Sequence, residues 1–406
     1  MDKLELLAPA GNYEKLVTAF DYGADAVYLG SENFGLRAMA GNFGYDQLAR
    51  ARDLASARQK KIYLTLNAYL VSGEFETLAE EIEQLKRFDL DAYIISDPGV
   101  LSLVRELDPE REIHLSTQAN TTNVFAARFW QQAGVRRINL ARELTIEDIK
   151  TFADDGSVEL EAFVHGAMCV AYSGRCLLSA AMSDRSANAG ACAHPCRWNY
   201  SLVEESRPDQ SFPIEEDRHG TYLMNSRDLC LIEHLPQLVK AGVRHFKIEG
   251  RMKSRYYVAV VTRAYRAALD RYRDDPETWQ CDPYWLEELD KVSHRPYDTG
   301  FLFGHADPQL HAKDTHYRRS YDFIGLVLAV EPDGTGLVEG KNRFFPGDEI
   351  ELFGPGMRQA WFTVGEVVRE TGEAVEVVQP NARVMMPLPA GSRAGDLLRR
   401  AKAEER

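Results

Sequence analysis

Four cysteines, Cys169, Cys176, Cys192 and Cys196, lie within one short stretch in the order C-x6-C-x15-C-x3-C. The other two of the chain's six cysteines, Cys230 and Cys281, are scattered downstream. Four soft thiolates supplied by loop-like sequence suit an iron–sulfur centre or a zinc ion. Gly166, Gly174 and Gly190 let the backbone turn between them, and Pro195 stiffens the approach to the last thiol. Structural zinc sites usually bring a pair of C-x2-C knuckles, and none occurs here, so the spacing favours iron–sulfur over zinc. Two disulfides would need an oxidising compartment. The opening, from Met1 to Gly11, has neither the apolar stretch nor the cleavage site of a signal peptide. A catalytic thiol is the remaining reading: His165 or His194 beside Cys169 or Cys196 would supply the pair that a thiol protease needs.

Such groups must be held by a scaffold, and the first half of the chain repeats one unit: a short apolar run, a turn, then an amphipathic helix. Strands are expected at 4–8, 26–30, 62–66, 92–96, 112–116, 137–141, 159–164 and 245–249, with helices filling the gaps. Thr145 and Asp148 form a capping box that opens one of these helices. Eight strands alternating with helices are the count of a (β/α)8 TIM-like barrel. A doubly wound open sheet is the alternative, but no G-x-G-x-x-G follows the first strand. Polar residues cluster just past the strands, including Asn67, Gln118, Asn120, Arg142, His165, Glu249 and Arg251. In a barrel they would share the C-terminal rim, where ligand groups collect.

The seventh strand is followed by an insertion, 165–225, that carries the cysteines and so belongs on the same rim. Within it, 199–203 and 221–224 resemble paired strands, and the acidic stretch 204–219 resembles a loop. Near Thr315 the pattern changes to short alternating strands with Gly, Pro and Asp turns. The expected organisation is therefore a barrel domain, 1–312, and a small C-terminal all-β domain, 315–406, ending in a frayed basic tail at 399–402.

Composition is ordinary for a globular chain of 406 residues, with 45% hydrophobic and 27% charged residues. No apolar run approaches the roughly 20 residues that span a bilayer, so a soluble, cytoplasmic protein without a membrane partner is expected. The formal net charge of −14 argues against indiscriminate nucleic-acid binding but leaves room for a local basic surface. Arg255, Arg263, Arg266, Arg271 and Arg273 follow the eighth strand on one helical pattern, which reads either as a solvated face or as a phosphate-contacting surface.

Several segments carry a family resemblance. Glu161-Ala-Phe163-Val-His165-Gly166-Ala-Met-Cys169, followed by Cys176-Leu-Leu-Ser179, closely resembles the signature of peptidase family U32. Leu6-Leu7-Ala8-Pro9-Ala10-Gly11, Gly23-Ala24-Asp25-Ala26-Val27-Tyr28, Asn225-Ser226-x-Asp228-Leu229, Lys247-Ile248-Glu249-Gly250-Arg251 and His294-Arg295-x-Tyr297 are similar to further segments of it, in the same order. Within the family the match is closest to the tRNA-hydroxylating branch. Its features here are the residues from His165 to Cys176, the ending Cys192-x3-Cys196-Arg197-Trp198-x-Tyr200 and the β-module.

The resemblance implies conversion of wobble uridine in the tRNA anticodon loop to 5-hydroxyuridine, with prephenate as hydroxyl source. It implies a [4Fe-4S] cluster held by Cys169, Cys176, Cys192 and Cys196, with Cys230 as an alternative to Cys196. His165 is then the expected acid–base group, because imidazole titrates near neutral pH. Glu161 and Glu249 would orient the cations. Arg142, Lys247 and Arg251 would hold the carboxylates of the donor. Asn67 and Gln118 would contact substrate, Tyr172 and Tyr69 would stack on the base, and the arginine-rich helix would meet stem phosphates. The rival functions are a collagenase-like peptidase and a noncatalytic iron–sulfur accessory protein.

Overall fold

The computed structural model describes residues 3–32, 42–168, 227–304 and 318–402, with parts of the intervening segment at 176, 178–183, 185, 192, 193, 195, 215–217 and 220–222. In chain order the elements are β1 (Glu5–Pro9), α1 (Tyr13–Asp21), β2 (Ala26–Leu29), α2 (Tyr45–Ala57), β3 (Lys61–Leu66), α3 (Phe75–Leu85), β4 (Ala92–Ile95), α4 (Pro98–Leu107) and β5 (Glu112–Leu115). Then come α5 (Val124–Gln132), β6 (Arg137–Asn139), α6 (Ile146–Asp155), β7 (Glu159–Ala167), α7 (Leu178–Ser183), β8 (Glu215–Asp217), β9 (Gly220–Tyr222), β10 (Asp228–Cys230), α8 (Leu235–Lys240), β11 (His245–Ile248), α9 (Arg255–Asp274), α10 (Pro283–Asp290) and β12 (Tyr297–Asp298).

Strands β1 to β7 and β11 are all parallel, and β11 pairs with both β7 and β1, so the sheet closes into an eight-stranded barrel. The expected (β/α)8 architecture is therefore present, with every expected barrel strand in place. The helices start as local chemistry dictates. Asn12, Asp97, Asn123 and Ser254 cap α1, α4, α5 and α9 through their side chains, and Thr145 and Asp148 complete the capping box of α6. A short ribbon extends the barrel wall: β10 pairs antiparallel with the overhanging end of β7, and β12 pairs parallel with β10.

Two strand expectations change. Strand β9 pairs with β8, which comes from the acidic stretch read as a loop; residues 199–203 lie outside the described residues. The basic tail is not frayed: 397–401 forms a strand inside the C-terminal sheet. That sheet contains β13 (Tyr321–Val330), β14 (Thr335–Gly340), β15 (Glu349–Phe353), β16 (Gln359–Thr363), β17 (Arg383–Pro387) and β18 (Leu397–Ala401). It is antiparallel, in the order β16-β15-β18-β13-β14-β17.

The two halves share a core. Leu326, Phe353 and Leu397 of the β-domain join the barrel's outer hydrophobic cluster. Tyr22 at the end of α1 donates to the carbonyls of Phe353 (3.3 Å) and Gly395 (3.1 Å). At the centre of the contact Arg263 and Arg399, both fully buried, converge on the buried carboxylate of Glu288. Arg399 also donates to Glu351 (2.9 Å), and Arg263 donates to the carbonyls of Gly354 (3.1 Å) and Arg358 (3.2 Å). Three of the arginines on the arginine-rich helix α9 thus serve packing, while Arg271 and Arg273 at its end are exposed. Arg263 holds the β-domain, Arg266 pairs with Asp25 (2.8 Å), and Arg255 donates to Thr18 Oγ1 (2.7 Å).

Burial disfavours charge on Glu288, but the Arg263 and Arg399 guanidiniums outweigh it and hold the carboxyl at about 2. Glu288→Ala would leave two guanidiniums buried without their shared anion. It is expected to cost about 3–5 kcal/mol of unfolding free energy, read by urea denaturation. Arg273→Ala, on the same helix but half-exposed, should stay within about 0.5 kcal/mol of the parent protein.

Candidate functional site

Inside the barrel, side chains alternate inward along each strand. Leu7, Ala26, Tyr28, Tyr63, Ala92 and Ile94 form an inner apolar cluster. Beside it, chiefly on β6, β7 and β11, sits a buried ionic layer that Tyr63 and Glu5 join from β3 and β1. Arg137 on β6 reaches Glu5 on β1 (2.8 Å) and Glu161 on β7 (3.5 Å). His245 on β11 lies 3.2 Å from both Glu5 and Glu159, and Tyr63 donates to Glu5 (3.0 Å). A hydrogen bond with His245 draws Glu159 down to about 2, and burial alone would have done the reverse. Lys247 on β11 donates to Glu161 (2.8 Å) beneath the rings of Tyr28 and Phe163, 4.8 and 5.2 Å from its ammonium. Burial opposes ionisation of Glu161, yet the charges of Lys247 and Arg137 hold its carboxyl below the ordinary range.

The mouth lies above this layer. Arg251, buried, donates to Thr65 Oγ1 (2.8 Å) and Asn42 Oδ1 (2.9 Å). Its guanidinium lies flat against Gly30, where a Cβ would stand 2.8 Å from Nη2, so glycine is needed for this approach. Arg142 donates to the carbonyl of Ala167 (2.9 Å), lies 3.7 Å from the Glu249 carboxylate and stacks 4.0 Å over Phe163. Asn67 reaches Ser116 Oγ (3.4 Å), and Tyr69 donates to the carbonyl of Gln118 (2.7 Å). Asn67, Gln118, Arg142, Glu249 and Arg251 thus meet at one end of the barrel. Glu161 and Lys247 lie deeper, paired with each other.

His165 is not at the mouth. Its ring is buried behind the barrel wall among Tyr257, Tyr265 and Tyr297, with Nδ1 3.4 Å from the Tyr265 hydroxyl. Burial lowers its proton affinity to about 3, so the expected acid–base role is replaced by a packing role. The next residue explains the turn away from the mouth. Gly166 has φ +109°, and a Cβ there would lie 2.7 Å from the carbonyl oxygen of Glu249.

Of the four cysteines, Cys169 and Cys196 lie outside the described residues, as does Tyr172. Cys176 and Cys192 are both half-buried. Cys176 stands just before α7, and Cys192 precedes Ala193, whose amide donates to Ser179 Oγ (2.9 Å) in the first turn of that helix. One buried serine therefore brings the two thiol-bearing segments together, which fits a shared inorganic centre. Cys230 packs with its sulfur 3.9 Å from the Tyr265 hydroxyl, and burial pushes its thiol up to about 11. That environment disfavours the thiolate a metal requires.

Residues absent from the expected site complete the mouth. Ile95 pairs with Leu115, and Leu115 with Ile138, so Ser96, Ser116 and Asn139 follow one another at the ends of β4, β5 and β6. Ser96 and Asn139 are buried, and neither the Ser96 hydroxyl nor either end of the Asn139 carboxamide has a partner among the described residues. The signal was present in the alternation Arg137-Ile138-Asn139, a strand that is polar on its inward face.

A closed (β/α)8 barrel whose polar side chains collect at its C-terminal rim is an enzyme-class scaffold with a ligand site in its mouth. This chain belongs to peptidase family U32: the family's profile matches residues 11–312, and the profile of its C-terminal domain matches 319–399. It is 38% identical over 380 residues to the tRNA hydroxylation protein P1 of Bacillus subtilis, covering 93% of this chain and 90% of the relative. It is 36% identical to the tRNA hydroxylation protein P of Escherichia coli, covering 96% and 94%. It is also 30% identical to a collagenase of Porphyromonas gingivalis, covering 100% and 99%.

The placement of His165 gives a sign to the pH dependence of stability. The unfolded chain takes up a proton near 6.5, whereas the folded ring resists it down to about 3. Stability from this group is therefore fully present above 6.5 and is lost as pH falls through that window. His165→Asn should flatten the slope of unfolding free energy between roughly pH 4 and 6 by about 1.4 kcal/mol per pH unit, measured by urea unfolding across pH.

Proposed function

We propose that this protein is an RNA-hydroxylating enzyme that converts unpaired uridine in the tRNA anticodon loop to 5-hydroxyuridine, with prephenate as the hydroxyl source. The observation that carries the reading is the near full-length identity to tRNA hydroxylation proteins. The polar mouth supports it. A wobble base already projects from its loop, so drawing it into a barrel costs less than opening a duplex. Arg251 and Arg142 are suited to hold the donor's two carboxylates, since guanidinium forks match carboxylates. Glu249 would orient Arg142, while Tyr69, Asn67 and Gln118 line the approach for the base. Lys247 would contribute its charge from beneath the mouth, held by Glu161.

A [4Fe-4S] cluster would be held by Cys169, Cys176, Cys192 and Cys196. When bound, it would supply one-electron chemistry to a reaction that oxidises C5 of the base. The collagenase relative favours a second reading, a peptidase. The two described thiols elsewhere in the chain make poor nucleophiles: burial pushes Cys230 and Cys281 up to about 11 and about 12.

A strain lacking this protein should lose 5-hydroxyuridine-derived nucleosides from bulk tRNA, measured by nucleoside mass spectrometry, and regain them on complementation. An unchanged profile would overturn the reading, and gelatin cleavage abolished by Cys169→Ser would favour the peptidase. Cys176→Ser and Cys192→Ser, purified anaerobically, should lose iron and acid-labile sulfide; stoichiometric zinc in the parent protein would remove the cluster. Arg251→Ala should keep its iron while lowering hydroxylation by about 10- to 100-fold through weaker donor use.

A further inference from the structure

We propose that Asn139 reads the hydrogen-bonding edge of the pyrimidine, with the Ser96 hydroxyl two strands along the same rim. This deepens the reading above and rests on it. Asn139 follows Arg137 and Ile138 on β6. Ile138 joins the outer core, so the residues on either side of it face the barrel axis. Asn139 pairs in register with Glu161 on β7 and follows the Leu115–Ile138 pairing on the other side, which places it between Glu161 and Ser116. It is 2% exposed. A buried carboxamide normally satisfies its donor and its acceptor. Among the described residues both are unpartnered here, and so is the hydroxyl of Ser96 one strand beyond Ser116.

Other buried side chains keep one unmet atom, His114 Nδ1 and His165 Nε2 among them, but their second ring nitrogen has a partner; Asn139 lacks a partner at both ends among the described residues. In the ionic layer below, Glu161, Arg137, Glu5 and Lys247 partner one another at 2.8–3.5 Å. Leaving a buried donor and acceptor unmade costs stability, and a position that keeps them is serving something that arrives later. A carboxamide offers one donor and one acceptor side by side. Uracil presents the complementary pair at O4 and N3–H, and a base lifted from its strand is read along that edge. Asn67, anchored to Ser116, and Arg251 on Thr65 border the same arc, so a base seated there would lie beside the guanidinium assigned to the donor.

The test is complementation of the deletion strain at limiting expression, with bulk-tRNA nucleosides and thermal unfolding measured together. Asn139→Leu has nearly the same shape and removes the unmet polar atoms, so it should unfold at or above the parent's midpoint while lowering 5-hydroxyuridine at least tenfold. Asn139→Asp keeps an acceptor for N3–H but turns a second acceptor towards O4. It should lower 5-hydroxyuridine similarly and raise the ratio of 5-hydroxycytidine to 5-hydroxyuridine, because a carboxyl group accepts from the exocyclic amine of cytosine and, when it carries a proton, donates to N3.

Full 5-hydroxyuridine with Asn139→Leu would overturn the inference and leave the hydroxylase reading standing. Equal losses of modification and thermal stability in both variants, with no change in the cytidine-to-uridine ratio, would make Asn139 a structural residue holding a water and would also overturn it. Failure of the parent protein to restore the nucleoside would remove the hydroxylase reading and this inference together.

Discussion

The ion pair between Lys247 and Glu161 lies across the seam where the barrel closes. Strand β11 is the eighth barrel strand and arrives about 80 residues after β7, beyond the whole cysteine-bearing segment. Its pairing with β7 shifts register between Lys247 and Ile248, a bulge that sits at the same position as the buried ion pair. The buried charges favour one alignment. Taking Lys247, Glu161, Arg137 and Glu5 out of water is costly, and the cost is offset only when all four strands that carry them stand in one register. A slip of one residue would turn those charges into the apolar outer core. The ionic layer therefore acts as a register lock, and it does so directly beneath the mouth whose geometry depends on it.

The same logic joins the β-domain to the barrel. Glu288 serves two arginines from opposite sides, Arg263 on α9 and Arg399 on β18. Each arginine also has a carboxylate in its own half, Glu288 for Arg263 and Glu351 for Arg399, and the reach of Arg399 across to Glu288 ties the two pairs into one buried network. The domain is thus a fixed part of the architecture, and most of the positive charge on α9 is spent on folding: Arg263, Arg266 and Arg255 have protein partners.

Much of the fold was legible in the sequence because its signals are local. Each barrel strand is a short apolar run followed by a turn and a capped helix, and the Thr145–Asp148 box announced α6 to the residue. The rim was legible in part for the same reason: Asn67, Gln118, Arg142 and Arg251 sit just past strand ends. What failed depends on contacts distant in sequence. Arg399 read as a tail residue because Glu351 and Glu288 lie 48 and 111 positions away. Arg263 read as one of several surface arginines because its carboxylate partner belongs to another helix. His165 read as a rim acid–base group because the motif places it beside the first cysteine. Its burial is set by Tyr257, Tyr265 and Tyr297, about 90 to 130 residues downstream. Asn139 was passed over because one asparagine in a three-residue strand carries no pattern of its own until the register of β5 and β7 is known.

A vertical asymmetry links these points. Around Glu5, Arg137 and Glu161 the interior is polar and the charges partner one another, which makes it rigid. One layer higher, at Ser96, Ser116 and Asn139, the interior is again polar, but hydrogen-bonding capacity is left over. A protein selected only for stability would fill that level with apolar side chains, as it does outside the sheet and at Leu7, Ala26 and Ala92 within it. The rigid layer and the unsatisfied layer are two parts of one device. Unpaired polar groups discriminate between ligands only when they cannot relax onto one another, and the lock beneath them is what denies them that freedom.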